Sequence, residues 1–492
     1  MKLIKLLILA SLLVLLSACA DSNRNSIAFG LNAAPVTLDP RFATDAISYR
    51  ITRLIYRSLI DFDEQFQAVP DLANWEQLAL DHYRFTLNTD RRDFHNGMPL
   101  TAYDVKATYE SVLNSETISP HRASVEMIES INVLDENTLD FKLTRPDPIF
   151  PGRLVIGILP AKLISQQHDF NRYPIGNGEM KLNNLKDDAR LKLTRLKDNQ
   201  LIEFITLKDP TVRVLKLLRG EIDIIQGNLS PEIITWLSER ESVQVKQKQG
   251  DTYTYLGFNL EDSITGNNLV RQAIAYAIDR EAIIKYVMRN SARKAGAIFP
   301  ANHWAGNKAL SGYEYNPEKA KELLSQAGYN QEIPLEISYK TSSDPFRLRL
   351  ATIIQSQLKE AGIKIDIRSY DWGTFYGDIK AGRFQMYSLS WVGLKMPDVF
   401  RYVFHSDSIP PDGANRGRFE NKQVDALIEK AEQEPLLAKQ AEYYRELQKI
   451  LIETLPAIPL WYEDNVAAIR NDIKGFELST DGNFDSLINT IR

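Results

Sequence analysis

Residues 344–367 read DPFRLRLATIIQSQLKEAGIKIDI, a stretch that spells out a helix, a turn and a strand in succession. Asp344 can cap a helix through its carboxylate, and Pro345 suits the first helical position, where its missing N–H costs nothing. Leu350, Ile354 and Leu358 recur at four-residue spacing and mark a buried face. Gly362 supplies a left-handed residue to end the helix. Ile363, Ile365 and Ile367 then alternate with polar residues, as in a strand with one face in a core. Outward from there, residues 316–328 repeat the grammar. Asn316 caps, Pro317 and Glu318 start a helix, Leu323, Leu324 and Ala327 line its inner face, and Gly328 ends it. Thr101 and Asp104 form a capping box ahead of Val105, Tyr109 and Val112. Residues 83–87 and 139–143 alternate as half-buried strands. This alternation of helix and strand predicts an α/β architecture rather than a bundle or sandwich.

The chain has 492 residues, 44% hydrophobic and 25% charged. That composition is globular, and the length exceeds what one core organises, so two or three domains are expected. The first residues stand apart. Lys2 and Lys5 precede an apolar run, 6–16, and the small residues Ser17 and Ala18 follow. This is the order of a secretory signal peptide, here 1–18, and the run is too short to span a bilayer. Removing Lys2 and Lys5 with it takes the formal charge from −5 to −7. An acidic protein without a basic stripe is not expected to bind nucleic acid. The single cysteine, Cys19, has no intramolecular partner for a disulfide. No later run of eighteen apolar residues, no repeat and no low-complexity tract follows.

Leu16-Ser17-Ala18-Cys19 resembles the lipobox of bacterial lipoproteins. The resemblance implies cleavage before Cys19, acylation of its thiol and new amino group, and a tether at 19–26. Several acyl chains anchor stably where one binds marginally. Ala20, rather than an aspartate, follows the cysteine, which leaves the outer membrane open as a destination. Further blocks occur in order: Thr37-Leu38-Asp39-Pro40 with Ile55-Tyr56-Arg57-Ser58-Leu59, then Phe94-His95-Asn96-Gly97-Met98-Pro99-Leu100-Thr101 running on to Val105. Phe258-Asn259 with the stretch 270–280, the 316–328 helix, Val424-Asp425-Ala426-Leu427-Ile428 and Leu455-Pro456-Ala457-Ile458-Pro459-Leu460 complete the series. Together, from about residue 35 to 470, they resemble the peptide-type extracellular solute-binding proteins, family 5, that serve ABC importers.

The resemblance implies an α/β, two-lobed periplasmic-binding-protein-like fold with an extra inserted domain and a hinge-closing cleft. Domain I would comprise 27–45, 165–258 and 463–492, domain II the insertion 46–164, and domain III 259–462, with hinges near Asn259 and Leu460. It implies a monomer in the periplasm that captures a peptide or peptide-like solute and delivers it to a membrane permease. Family members also carry sugars, nickel complexes and haem, so a non-peptide solute such as an oligosaccharide or metal chelate is the alternative. A cell-envelope chaperone or hydrolase is the rival from another class.

In that family the segment after the tryptophan matching Trp391 faces the cleft, and peptide binders often place an acid three residues on to hold the ligand's α-ammonium. Here that position is Leu394, and Asp398 is the candidate replacement, against a capping or turn role. Residues 405–419 carry two prolines and two glycines and read as a loop. Within it Arg416 and Arg418, with Asn415 beside them, can clamp a carboxylate; a solvated loop with surface ion pairs is the competing reading. Trp391 and Trp372 can supply flat apolar walls or serve as core aromatics. His95-Asn96-Gly97 reads as a turn, and 271–279 as a packed, capped helix. There is no Gly-x-Ser-x-Gly elbow, no His-Glu-x-x-His, no P-loop and no cysteine pair, and the six histidines are scattered. No catalytic residue, cofactor or metal site is expected.

Overall fold

The structure, a computed structural model, describes residues 26–183, 189–330 and 332–492. The expected signal peptide, Cys19 and most of the tether lie outside the described residues.

The local rules hold where they were strongest. Pro345–Glu360 is a helix, and Asp344 accepts a hydrogen bond from Arg347 N at 2.9 Å. Leu350, Ile354 and Leu358 are buried on its inner face, Gly362 takes φ +90°, and Ile363–Tyr370 is a strand. Pro317–Gln326 is a helix whose cap, Asn316, accepts from Lys319 N at 2.9 Å. Before Ala102–Leu113, Thr101 N donates to Asp104 at 2.7 Å. The His95 turn forms as read, with Gly97 at φ +82°.

An 11-stranded mixed sheet among the described residues forms the spine. Its strand order is Ile363–Tyr370, Leu335–Ser342, Met386–Trp391, Val243–Phe258, Ala457–Arg470, Ile224–Gln226, Ser26–Leu31, Leu201–Thr206, Arg190–Arg195 and Met180–Leu182, while Ala292–Lys294 also pairs with Ala457–Arg470. Parallel pairs occur on both sides of the long strands: Ser26–Leu31 with Leu201–Thr206, and Leu335–Ser342 with Ile363–Tyr370. Parallel pairing requires crossovers, and the helix Pro345–Glu360 is one of them, which makes the architecture α/β.

Two strands differ from the rest. Val243–Phe258 has 16 residues and Ala457–Arg470 has 14, and they pair antiparallel from Val243↔Arg470 to Gly257↔Ala457. At about 3.3 Å per residue the longer one covers roughly 50 Å, enough to run from one half of the sheet to the other. Its register slips between Lys248 and Thr252 and again between Thr254 and Tyr255. Such bulges bend a strand and sharpen its twist.

Separate cores hold the parts. On one side Phe29 packs against Phe204 and Phe484, with ring centroids 5.6 and 4.7 Å apart. On the other, Leu256, Ile274, Ile337, Ile354 and Trp461 are buried together. Arg271 is buried there and donates to the carbonyls of Thr265, Thr454 and Leu455, so the 271–279 segment is architectural, as expected. A four-stranded antiparallel sheet has its own core, in which Phe141 meets Phe85 and Tyr109 edge-on at 5.4 and 5.8 Å. Edge-to-face pairs add about 0.5–1.5 kcal/mol each to the area they bury. Backbone contact also joins the helix Ala46–Ile55 to the 176–178 turn: a Cβ at Gly176 would stand 2.1 Å from the Ile55 carbonyl oxygen.

Candidate functional site

Two neighbouring cavities lie beside the bend in the long strands. The larger, about 560 Å³, is bounded by Arg50 and Gly227 on one side, by Phe346 and Arg347 on the other, and by Glu463 and Asn465 of the strand Ala457–Arg470. The smaller, about 320 Å³, lies against Tyr339, Thr341, Trp372 and Ser388. Both reach Asp344, Arg347, Ser390 and Val392. Volumes of this order, ~300–1,000 Å³, suit small organic ligands. A further cavity of about 420 Å³ lies beside the helix Ala46–Ile55. Its charges are paired with one another, Arg53 with Asp61 and Asp485, and Arg57 with Asp71, so they are less available to a ligand.

Arg347 is held at the cavities' common edge by the cap that starts its helix. Its Nη2 lies 3.0 Å from Glu463 Oε2, and Nη1 also contacts that carboxylate. Glu463 accepts from Thr254 Oγ1 at 2.7 Å and from Trp461 Nε1 at 3.4 Å. Burial pushes the Glu463 carboxyl up, but the Arg347 guanidinium and these hydrogen bonds hold it below its ordinary value.

Further ion pairs join segments distant in the chain. Lys395 Nζ lies 2.7 Å from Asp481 and 5.3 Å from the centre of the Phe62 ring. Asp481 further accepts from Ser479 Oγ at 2.6 Å and from Asn483 Nδ2 at 2.7 Å. Burial opposes ionisation of Asp481, but the Lys395 ammonium and these donors hold its carboxyl well below the usual range. Arg153 reaches Asp147 at 2.6 Å and Asp398 at 3.2 Å, and Arg349 pairs with Glu232.

The residues singled out from sequence fall into three groups. Trp391, Arg416 and Trp372 come together: the Arg416 guanidinium lies 4.8 Å from the Trp391 ring and 5.4 Å from the Tyr376 ring, and Trp372 stacks on Tyr376 at 5.4 Å. Trp372 is 60% exposed and lines the smaller cavity. Arg416 is buried and donates to the hydroxyls of Tyr255 at 3.0 Å and Tyr376 at 3.2 Å. Asn415 and Arg418 brace the loop: Asn415 Nδ2 donates to the carbonyls of His405 and Phe419, and Arg418 Nη1 to that of Arg416. Asp398 stands apart, paired with Arg153, and at the start of Val399–Phe404 its side chain makes no capping bond. Arg347, Glu463 and Lys395 were missed. Arg347 and Glu463 are 116 positions apart, a separation that leaves no periodic trace; the one local signal was the cap at Asp344, which fixes where Arg347 emerges.

Comparison with known proteins gives these features a context. The chain matches the family described as bacterial extracellular solute-binding proteins, family 5 Middle, over residues 67–411. It is 24% identical over 509 residues to the dipeptide-binding protein of Escherichia coli (strain K12), covering 94% of each chain. Among solved structures, NikZ from Campylobacter jejuni in complex with Ni(L-His) is similar at TM-score 0.84 and 25% identity, covering 95% of this chain and 100% of that one. The periplasmic binding protein DppA from Helicobacter pylori in complex with peptide STSA is similar at TM-score 0.80 and 25% identity, over 94% and 97%. The fold is thus the two-lobed α/β fold of periplasmic binding proteins.

Replacing Arg347 tests the electrostatics of this edge. Arg347→Met leaves Glu463 without its cation and destabilises the fold by roughly 2–3 kcal/mol at pH 8; this is below the ~3–5 kcal/mol of a fully buried pair because the Arg347 side chain keeps 32% exposure. The folded Glu463 carboxyl lies below its unfolded value, so the stability it contributes is present above about pH 4.3 and is lost as pH falls. The melting-temperature gap between wild type and variant therefore narrows toward pH 4. A gap that stays constant from pH 8 to 4 contradicts this account.

Proposed function

The chain belongs to family 5 of the bacterial extracellular solute-binding proteins, and from that membership we propose that it captures a peptide or peptide-like solute between its lobes and passes it, chemically unchanged, to the permease of an ABC importer. The observation that carries this reading is the pair of cavities at the interlobe edge, lined by the Arg347–Glu463 pair and by aromatic walls. Together they have the size and mixed polarity that suit a few residues of extended peptide, held mainly through backbone and termini with water filling the remainder. The cargo of the Escherichia coli and Helicobacter pylori relatives points the same way.

In this reading domains I (27–45, 165–258, 463–492) and II (46–164) make up one lobe and domain III (259–462) the other. Closure is a bend in the two long strands at their irregular register. Aromatic and guanidinium groups at Trp372, Trp391 and Arg416 form one wall of the site. The protein works as a monomer in the cell envelope, held to a membrane through acylated Cys19; this anchor rests on the sequence 16–19. Ni(L-His) in the Campylobacter jejuni structure favours one second reading, a compact metal–amino-acid chelate carried as cargo.

Isothermal titration of the solute-free protein with defined di- to tetrapeptides tests the function. Micromolar affinity, about −8 kcal/mol, is expected for at least one class of them. Binding of nickel–histidine with no response to any peptide replaces the peptide reading by the chelate. For the anchor, wild type partitions into the detergent phase of Triton X-114 and Cys19→Ser into the aqueous phase; aqueous partition of both removes the lipid.

A further inference from the structure

The smaller of the two cavities differs in character from the larger. Its floor is apolar, built from Leu350 and Ile354 of the helix Pro345–Glu360, Phe375 of the helix Trp372–Lys380, and Leu460 and Trp461 of the strand Ala457–Arg470. All five are buried. The polar groups of the lining are satisfied within the protein. Ser390 Oγ donates to Thr254 Oγ1 at 2.7 Å, because Thr254 gives its own proton to Glu463, and Tyr339 shares a hydrogen bond with Ser388. Among the lining residues only Asp344 and Arg347 are charged, and both stand at the edge shared with the larger cavity. Both are also engaged, Asp344 with the Arg347 backbone and Arg347 with Glu463. A charged group pushed into this cavity gives up its water and meets no free partner in exchange.

One wall is prepared for contact. Trp372 is exposed, yet it is held in place. Its helix starts at the Asp371 cap, which accepts from Thr374 N at 3.2 Å, and its ring stacks on Tyr376 with the planes 7° apart. Val392, also exposed, borders the same cavity just beyond the strand Met386–Trp391. Exposed apolar residues scattered singly are ordinary. Here a fixed indole and a valine border one apolar-floored cavity that shares its edge with the larger one, and such groupings mark binding sites. An apolar cavity of about 150 Å³ already takes a benzene ring. The roughly 320 Å³ available here is ample for an aromatic side chain.

We propose that the smaller cavity is a specificity pocket that takes one bulky apolar side chain of the bound peptide, an aromatic ring above all, while the larger cavity holds the backbone. The inference rests on the peptide reading above and narrows it. The side chain lies against Trp372 and Val392 and covers the floor at Leu350 and Ile354. Burying a leucine or phenylalanine there supplies affinity that alanine lacks, and contact with the indole adds a preference for a ring. Lysine and glutamate are disfavoured at that position by the cost of desolvating their charge.

Isothermal titration of the solute-free protein with di- and tripeptides of alanine, each carrying Phe, Leu, Lys or Glu at one position, tests this. At one position of the series Phe is expected to bind roughly tenfold or more tighter than Ala, with Leu next and with Lys and Glu no tighter than Ala. Val392→Trp, which fills the mouth, and Trp372→Ala, which removes the wall, are each expected to bring the ratio of Phe to Ala affinity toward one. Both positions are exposed, so both variants are expected to melt close to wild type. Equal affinity for Phe and Ala at every position overturns the proposal, as does a preference that survives in both variants, and either result leaves the peptide reading intact. If no member of the series binds, the peptide reading falls and this inference with it. The wild-type series needs no variant, so a misfolded variant cannot mask the answer.

Discussion

The pairing of Val243–Phe258 with Ala457–Arg470 is the constraint that everything else obeys. Both strands lie in the middle of the one large sheet, so its two halves are joined by a hydrogen-bonded ribbon rather than by slack linkers. A ribbon of this kind resists sliding and separation but yields to bending and twisting where its ladder is broken. The breaks occur in two places only a few residues apart, between Lys248 and Thr252 and between Thr254 and Tyr255. The cavities, the Arg347–Glu463 pair and the Lys395–Asp481 pair gather around that short stretch.

Charge is distributed there, and most of it is paired within the protein. Arg153 bridges the buried Asp147 and the more exposed Asp398, and Lys395 reaches Asp481 with little solvent around either group. Removing one member of a buried pair is costly, whereas an intact pair barely repays its own desolvation, so these contacts fix geometry more than they add stability. Asp251 is the exception, a buried carboxyl with no hydrogen-bond partner among the described residues.

Much of the fold was legible in the sequence because its signals are local. Caps at Asn316 and Asp344, terminating glycines at 328 and 362, and the Ile363–Ile367 alternation each depend on neighbours within a few residues, and each forms as read. The site was less legible because its contacts are distant in the chain. Asp398 meets Arg153 across 245 positions, which no spacing rule anticipates. Arg416 shows the complementary difficulty: an arginine in a Pro- and Gly-rich loop reads as solvated, yet tyrosines from two other elements enclose it. Asp251 gave no signal at all, since GDT in a polar strand is indistinguishable from a surface turn until the strand is seen to bend into the interior. Leu394 stands where an acid was sought, while the Lys395 beside it meets a carboxylate, Asp481, that approaches from another loop.

The central claim is that two lobes sharing one sheet swing about this bend to enclose a solute. Small-angle X-ray scattering of the protein stripped of solute, and again after saturation with a peptide it retains, measures that motion directly. The account predicts a larger radius of gyration and maximum dimension for the stripped protein, both contracting when the peptide is added. Superimposable curves in the two states would contradict it, because a rigid ribbon could neither admit the solute nor signal its presence.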